Sequence, residues 1–101
     1  MNYRLIIRPE AELDLEDAFA WYESQDPGLG SEFVRAIDTC ISTIGRNPLA
    51  YRLIYQQARR ALVRRFPYSL FYIVEEDAIF VIGCFHSKRN PSDWQDRLNK
   101  Y

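Results

Sequence analysis

The run Arg59-Arg60-Ala61-Leu62-Val63-Arg64-Arg65-Phe66-Pro67-Tyr68-Ser69-Leu70-Phe71-Tyr72-Ile73-Val74 decides the fold, together with its continuation through Glu75-Glu76-Asp77 into Ala78-Ile79-Phe80-Val81-Ile82-Gly83-Cys84-Phe85-His86-Ser87-Lys88-Arg89. Three stretches rich in β-branched and aromatic residues read as strands at about 60–66, 68–75 and 78–86. Pro67 has no N–H to give a ladder, so it marks a bend or bulge between the first two. Glu75-Glu76-Asp77 supplies the tight turn of a hairpin between the second and third. In the last strand, simple alternation groups Phe80, Ile82, Cys84 and His86 on one face and Ile79, Val81 and Phe85 on the other. Both faces are apolar, so both are covered or one awaits a partner.

Working outward, Tyr3 to Arg8 reads as a first strand. Pro9 suits the first position of a helix, and Glu10, Glu12, Asp14, Glu16 and Asp17 suit its positive end. Ala11, Leu15, Ala18, Phe19 and Tyr22 recur at helical spacing, which predicts an amphipathic helix over 9–25. Asp26-Pro27-Gly28 breaks it. Ser31 is the expected N-cap of a second helix, with Phe33, Val34, Ile37, Cys40, Ile41 and Ile44 on one face and Asn47-Pro48 as its stop. Residues 49–58 read as a connecting segment, too aromatic to be a free linker and so laid against the core. The tail from Asn90 to Leu98 reads as a short helix capped near Ser92. The order is β-α-α-β-β-β plus that short C-terminal helix, an α+β fold in which a helical hairpin packs on a mostly antiparallel sheet. A length of 101 residues predicts a single domain over 1–101.

Composition excludes several classes of function. No apolar run approaches the ~20 residues of a membrane span. Residues 1–8 have neither the apolar length nor the small-residue cleavage site of an export signal, which predicts a cytoplasmic protein with reduced, buried Cys40 and Cys84. Neither a Gly-rich phosphate loop nor a nucleophile elbow nor metal-ligand spacing occurs, so no cofactor and no metal are expected. The formal net charge of −1 hides an asymmetry: residues 1–45 carry 3 basic and 9 acidic side chains, residues 46–101 carry 10 and 5. Such a chain can turn a positive face to a polyanion or an acidic protein. Its charges are equally consistent with solvated acidic helices beside a sheet with arginine edges.

Alternation from Arg59 puts Arg59 and Arg65 on one face of their strand and Arg60 and Arg64 on the other. With His86, Lys88 and Arg89 at a neighbouring strand end they would form a positive concavity able to hold phosphates, for which the planar guanidinium fork is suited. His86 is the sole side chain there whose ordinary pKa lies near neutrality, hence the candidate acid or base. More ordinary roles compete: edge arginines that block strand-to-strand aggregation, or that bridge to the acidic helices; a hydrogen-bonded structural histidine; Trp94 as a hydrophobic lock for the tail. The acidic residues from Glu10 to Asp17 have no His or Cys at ligand spacing and read as a solvated helix face.

The element order at this length, Ile7-Arg8-Pro9-Glu10-Ala11-Glu12-Leu13-Asp14-Leu15 opening the first helix, and Asn47-Pro48 closing the second together resemble the RelE/ParE superfamily of toxins from type II toxin–antitoxin modules. So do Arg65-Phe66-Pro67-Tyr68-Ser69-Leu70-Phe71-Tyr72 and Phe85-His86-Ser87-Lys88-Arg89-Asn90-Pro91 followed by Trp94. The resemblance covers essentially the whole chain. It implies a small bacterial protein neutralised by a cognate antitoxin whose C-terminal segment wraps around it, with room for a higher-order toxin–antitoxin complex. One branch of the superfamily cleaves mRNA on the ribosome without a metal; the other blocks DNA gyrase and lacks the nuclease residues. The nuclease branch has two lysines in the strand after the hairpin, where this chain has Arg60 and Leu62. It also has an arginine after the tyrosine that opens the next strand, where this chain has Ser69. Trp94 stands nearest the branch's terminal tyrosine and cannot transfer a proton, and Lys88-Arg89 match its basic pair only after a shift of about two residues. His86 resembles the histidine of some ribosome-dependent members. The resemblance therefore implies a gyrase-directed, plasmid-stabilising toxin with Arg60, Arg64, Arg65, Lys88, Arg89 and Trp94 as its target- or phosphate-binding residues. The alternatives are a ribosome-dependent endoribonuclease using His86, and an inactive module that binds only its antitoxin.

Overall fold

The computed structural model describes residues 2–101. Its elements are β1 (Arg4–Ile7), α1 (Pro9–Gln25), α2 (Leu29–Arg46), a 3-10 turn (Pro48–Ala50), β2 (Leu53–Tyr55), β3 (Ala58–Leu62), β4 (Tyr68–Glu75), β5 (Ala78–His86) and α3 (Pro91–Asn99). The five strands form one sheet in the order β1-β5-β4-β3-β2. β1 lies parallel to β5, and the other neighbours are antiparallel. The expected α+β architecture is present, with one more strand than the sequence suggested. No helix among the described residues is long and apolar enough to cross a membrane.

The extra strand, β2, falls inside residues 49–58. At three residues it is too short for alternation to reveal. The segment before it is fastened to the core by polar contacts: the buried Tyr72 hydroxyl donates to the Pro48 carbonyl at 2.6 Å, and the Arg59 guanidinium donates to the carbonyls of Leu49 and Tyr51.

The start of α2 also differs from expectation. Ser31 does not cap it. The helix begins at Leu29 after Gly28, whose φ of 93° is left-handed and costs glycine nothing. Glu23, on the preceding helix, accepts the Gly28 and Gly30 N–H groups at 3.0 Å each. One carboxylate thus satisfies two orphan donors and ties the hairpin together.

The hairpin covers one face of the sheet. Ala11, Ala18 and Tyr22 of α1 and Phe33, Ile37, Cys40 and Ile44 of α2 bury against Ala61, Leu70, Tyr72, Ile79, Val81 and Cys84. α3 covers the other: Leu98 and Trp94 pack on Ala58, Ile82, Ile73 and Phe80, and Trp94 stacks on Phe71 with ring centroids 4.9 Å apart. Both apolar faces of the last strands are therefore occupied within the chain.

β5 breaks the simple alternation. Phe71 pairs with Gly83 but Tyr72 pairs with Val81, so Ile82 is an extra residue in the ladder. The bulge changes the facing of everything beyond it: Phe80 and Ile82 face α3, whereas Cys84 joins Ile79 and Val81 against the hairpin and His86 lines a cleft with α1. The expected grouping of Phe80, Ile82, Cys84 and His86 is thereby overturned. The bulge sits where β1 ends, since the β1 register stops at Val81. From there Asp14 and Arg97 seal the open edge of β5. Asp14 accepts the Cys84 N–H at 3.0 Å and pairs with both ends of the Arg97 guanidinium, at 2.6 and 3.2 Å; Arg97 also donates to the Ile82 carbonyl at 3.4 Å. A Cβ on Gly83 would lie 2.6 Å from the Phe85 ring and 3.0 Å from Arg97, so only glycine fits there. Asp14 is thus a structural anchor between α1, β5 and α3. The acidic face of α1 is not uniformly solvated.

Candidate functional site

β3 ends at Leu62, and the chain then turns back to β4. Val63 N–H donates to the Tyr68 carbonyl at 2.9 Å, and Arg65 has a φ of 72°. Arg64 and Arg65 therefore belong to a turn and not to a strand face, which is why strand alternation misplaces them. Both line a groove of ≈ 520 Å³ between α2 and the end of β3, together with Arg35, Leu62 and Glu32. Arg65 pairs with Glu32 at 3.2 Å across this groove, and both side chains are substantially exposed. Leu62 is 70% exposed.

The other cations lie elsewhere. Arg60 stands opposite Phe71 in the ladder, exposed on the face that carries α3. Lys88 and Arg89 follow β5, where Arg89 is bound to Asp93 at 2.8 Å with its guanidinium 5.2 Å from the centre of the Phe85 ring. Trp94 is half-buried between Phe71 and Tyr55, which fits its expected role as a lock. The structure does not assemble the single positive concavity that alternation suggested. The reason is geometric: β3 is shorter than expected, and the β5 bulge reverses the facing of His86.

His86 occupies a second cleft, of ≈ 310 Å³, walled by Asp14, Asp17, Trp21, Tyr22 and Tyr68. Its Nδ1 accepts the Lys88 backbone N–H at 3.0 Å, which in the neutral ring places the proton on Nε2. Tyr68 meets the imidazole edge-on at 5.1 Å, and burial raises the Tyr68 hydroxyl above its ordinary pKa. Chemically this cleft can hold or move a proton. Its charged walls are two carboxylates and Arg89, while Arg60, Arg64 and Arg65 line no part of it. Cleavage at a 2′-hydroxyl needs cations around the pentacoordinate phosphorus, beside the acid and base. Ser69, at the position where the nuclease pattern has an arginine, is buried in the ladder between Leu62 and Phe85.

Four contributors escaped sequence reasoning. Asp14 sits three residues after buried Ala11 and four before buried Ala18, so the helical period already put it on the inward stripe. Arg35, Thr39 and Thr43 follow one another at i+4 along the groove wall of α2, beside the small residues Ala36 and Cys40.

Comparisons with known proteins agree with one another. A family model described as the ParE toxin of the type II toxin–antitoxin system parDE matches residues 5–91. Toxin ParE2 of Mycobacterium tuberculosis, from strains CDC 1551 / Oshkosh and ATCC 25618 / H37Rv, is 26% identical over 93 residues, covering 91% of this chain and 89% of the relative. A solved structure from a chromosomal ParDE toxin–antitoxin system of P. aeruginosa superposes with a TM-score of 0.74 at 19% identity, covering 83% of this chain and 95% of that one. At that identity the superposition speaks for the fold.

Proposed function

The chain belongs to the ParE toxin family of type II toxin–antitoxin systems, and we propose that a cognate antitoxin holds it inactive and that, when free, it arrests growth by binding DNA gyrase in the cytoplasm. The observation that carries this reading is the separation of Arg60, Arg64 and Arg65 from His86. His86 faces the carboxylates of Asp14 and Asp17, whereas Arg64 and Arg65 line a groove on the other side of the hairpin. A surface divided in this way suits recognition by contact and lacks the convergent cations of a ribonuclease. In this reading Arg60, Lys88 and Arg89 contact the target, with Trp94 supporting the face on which Arg60 stands. The test is induction without an antitoxin, with purified chain added in parallel to a gyrase supercoiling assay and a translation assay. Loss of supercoiling with translation intact is the expected result. Translation arrest with supercoiling untouched would overturn the gyrase reading and return His86 to candidacy as an acid or base.

A further inference from the structure

We propose that the cleft between α1 and the end of β5 is a binding site for a guanidinium group, carried either by a free guanidino compound or by an arginine side chain of a protein. This goes beyond the reading above and rests on no part of it. The helical period sets one wall: Asp14, Asp17, Ala18 and Trp21 follow one another at i, i+3, i+4 and i+7 along one flank of α1. Tyr68 of β4 and His86 of β5 form the other, because the bulge at Ile82 turns His86 toward the helix. The charges in the cleft leave one carboxylate uncompensated. Asp14 is engaged by Arg97 and the Cys84 N–H, and Arg89 is held by Asp93 with its guanidinium over the Phe85 ring. His86, whose Nδ1 accepts the Lys88 N–H, is neutral in that hydrogen bond and does not offset a negative charge. Asp17 is exposed and has no ion-pair partner among the described residues.

The walls are aromatic. Trp21, Tyr22, Tyr68 and His86 form a chain of edge-to-face contacts, with successive ring centroids 5.1, 6.1 and 5.1 Å apart. Trp21 ends that chain 57% exposed, although it adjoins the buried Tyr22. An open indole face beside an uncompensated carboxylate attracts a cation twice, through the ring quadrupole and through the ion pair. The guanidinium uses both. It is planar and weakly hydrated, so it stacks on a ring while its fork meets a carboxylate; an ammonium is a strongly hydrated point charge with no plane to stack. A phosphate would meet Asp17 as a like charge. A metal ion would need more ligands, since the described residues bring together no three metal-ligating side chains. The volume of ≈ 310 Å³ lies at the small end for ligand pockets and suits one head group with its stem.

The test is two-dimensional NMR of the isotope-labelled full chain, titrated with propylguanidinium and with a blocked tripeptide that has arginine at its centre. The same tripeptide with citrulline, the neutral isostere, serves as a control, as do propylammonium and inorganic phosphate. Propylguanidinium and the arginine peptide should shift the Trp21 indole N–H and the His86 ring signals saturably in the millimolar range, leaving the Trp94 indole in place. Asp17→Asn should weaken both by about fivefold or more. Trp21→Ala should do likewise, followed through His86 and Tyr68, whereas Trp21→Phe keeps most of the affinity. Arg35→Glu, which lies in the other groove, should change it less than twofold. Asp17 and Trp21 are exposed, so circular dichroism and thermal melting should show the variants folded. An arginine peptide that binds at least tenfold tighter than propylguanidinium supports the site and identifies a protein side chain as its occupant. Equal affinities support it with a free guanidino compound in that place. Equal binding of the citrulline peptide overturns the proposal, as does tighter binding of phosphate or propylammonium. Indifference to Asp17→Asn, or the absence of any saturable shift at Trp21, overturns it as well.

Discussion

Gln56, Arg65 and Glu76 hold left-handed backbone without being glycine, with φ of 51°, 72° and 54°. Gln56 and Glu76 open the two-residue loops that join β2 to β3 and β4 to β5. A left-handed residue with a Cβ is strained by roughly 1–2 kcal/mol, of which glycine recovers part after its own entropic cost. Glu76→Gly should therefore stabilise the chain by about 0.5–1 kcal/mol, seen as a rise of about 3–6 °C in Tm. A Tm lowered by Glu76→Gly would mean that its side chain does more than occupy a turn. Arg65 shows what residue-level reading cannot reach. Arginine carries no preference for this conformation, so nothing local warned that β3 stops before it. Its place in the groove comes from the Val63–Tyr68 hydrogen bond and the Glu32 pairing, both made by residues distant in sequence or across a turn.

At the scale of elements, the decisive joint is the edge of β5 beyond β1, where α1 and α3 meet through Asp14 and Arg97. Their side chains are only 18% and 27% exposed, so the pair is partly desolvated, and Asp14 also satisfies a strand N–H. Removing one partner leaves the other charged and poorly hydrated, which costs more than the pair contributes when intact. Asp14→Ala should cost about 2 kcal/mol and Arg97→Ala a little less. The double variant should be more stable than the sum of the two by about 1 kcal/mol. Urea unfolding with an unchanged m-value measures each, and strict additivity would show that the two groups act independently. The position of Asp14 was legible in the helical period, because residues 11, 14, 18 and 22 share one face. Its partner was not, since Arg97 lies 83 positions away, and the local sign of the bulge at Ile82 is the single Gly83 inside a strand pattern. The long strands β4 and β5 were legible because their eight and nine residues carry strong β-formers, whereas the three residues of β2 carry too few to register.

For the whole molecule, what folds is an acidic hairpin against a sheet with basic loops, and the contact between them is the apolar layer that holds both cysteines. The order of long elements and the two-sided core follow from hydrophobic periodicity. The division of the arginines from His86 does not, since it depends on where a strand stops and on one extra residue in a ladder. The two thiols make the integrity of this layer measurable through pH. Cys40 of α2 packs at the end of β3, with its Sγ 3.8 Å from the Leu62 carbonyl, and Cys84 of β5 lies beside Asp14. Burial pushes the Cys40 thiol up to about 11 and the Cys84 thiol up to about 12, the latter also raised by the nearby Asp14 charge. In the unfolded chain both ionise near their ordinary 9.0. Above that pH the unfolded state has lost protons that the folded state keeps, so stability falls as pH rises. The contribution is intact below about pH 9 and is lost progressively toward 11–12. Burial raises Tyr22, Tyr51, Tyr68 and Tyr72 as well, which steepens the fall once unfolded tyrosines begin to ionise near pH 10. Urea midpoints taken at intervals from pH 7.5 to 10.5 should stay nearly level to about pH 9 and then decline, with Cys84→Ala declining less steeply from its own lower starting point. Midpoints that hold level through pH 10.5, or a slope unaltered by Cys84→Ala, would mean that the thiols lie open to solvent and that the hairpin does not seal the sheet.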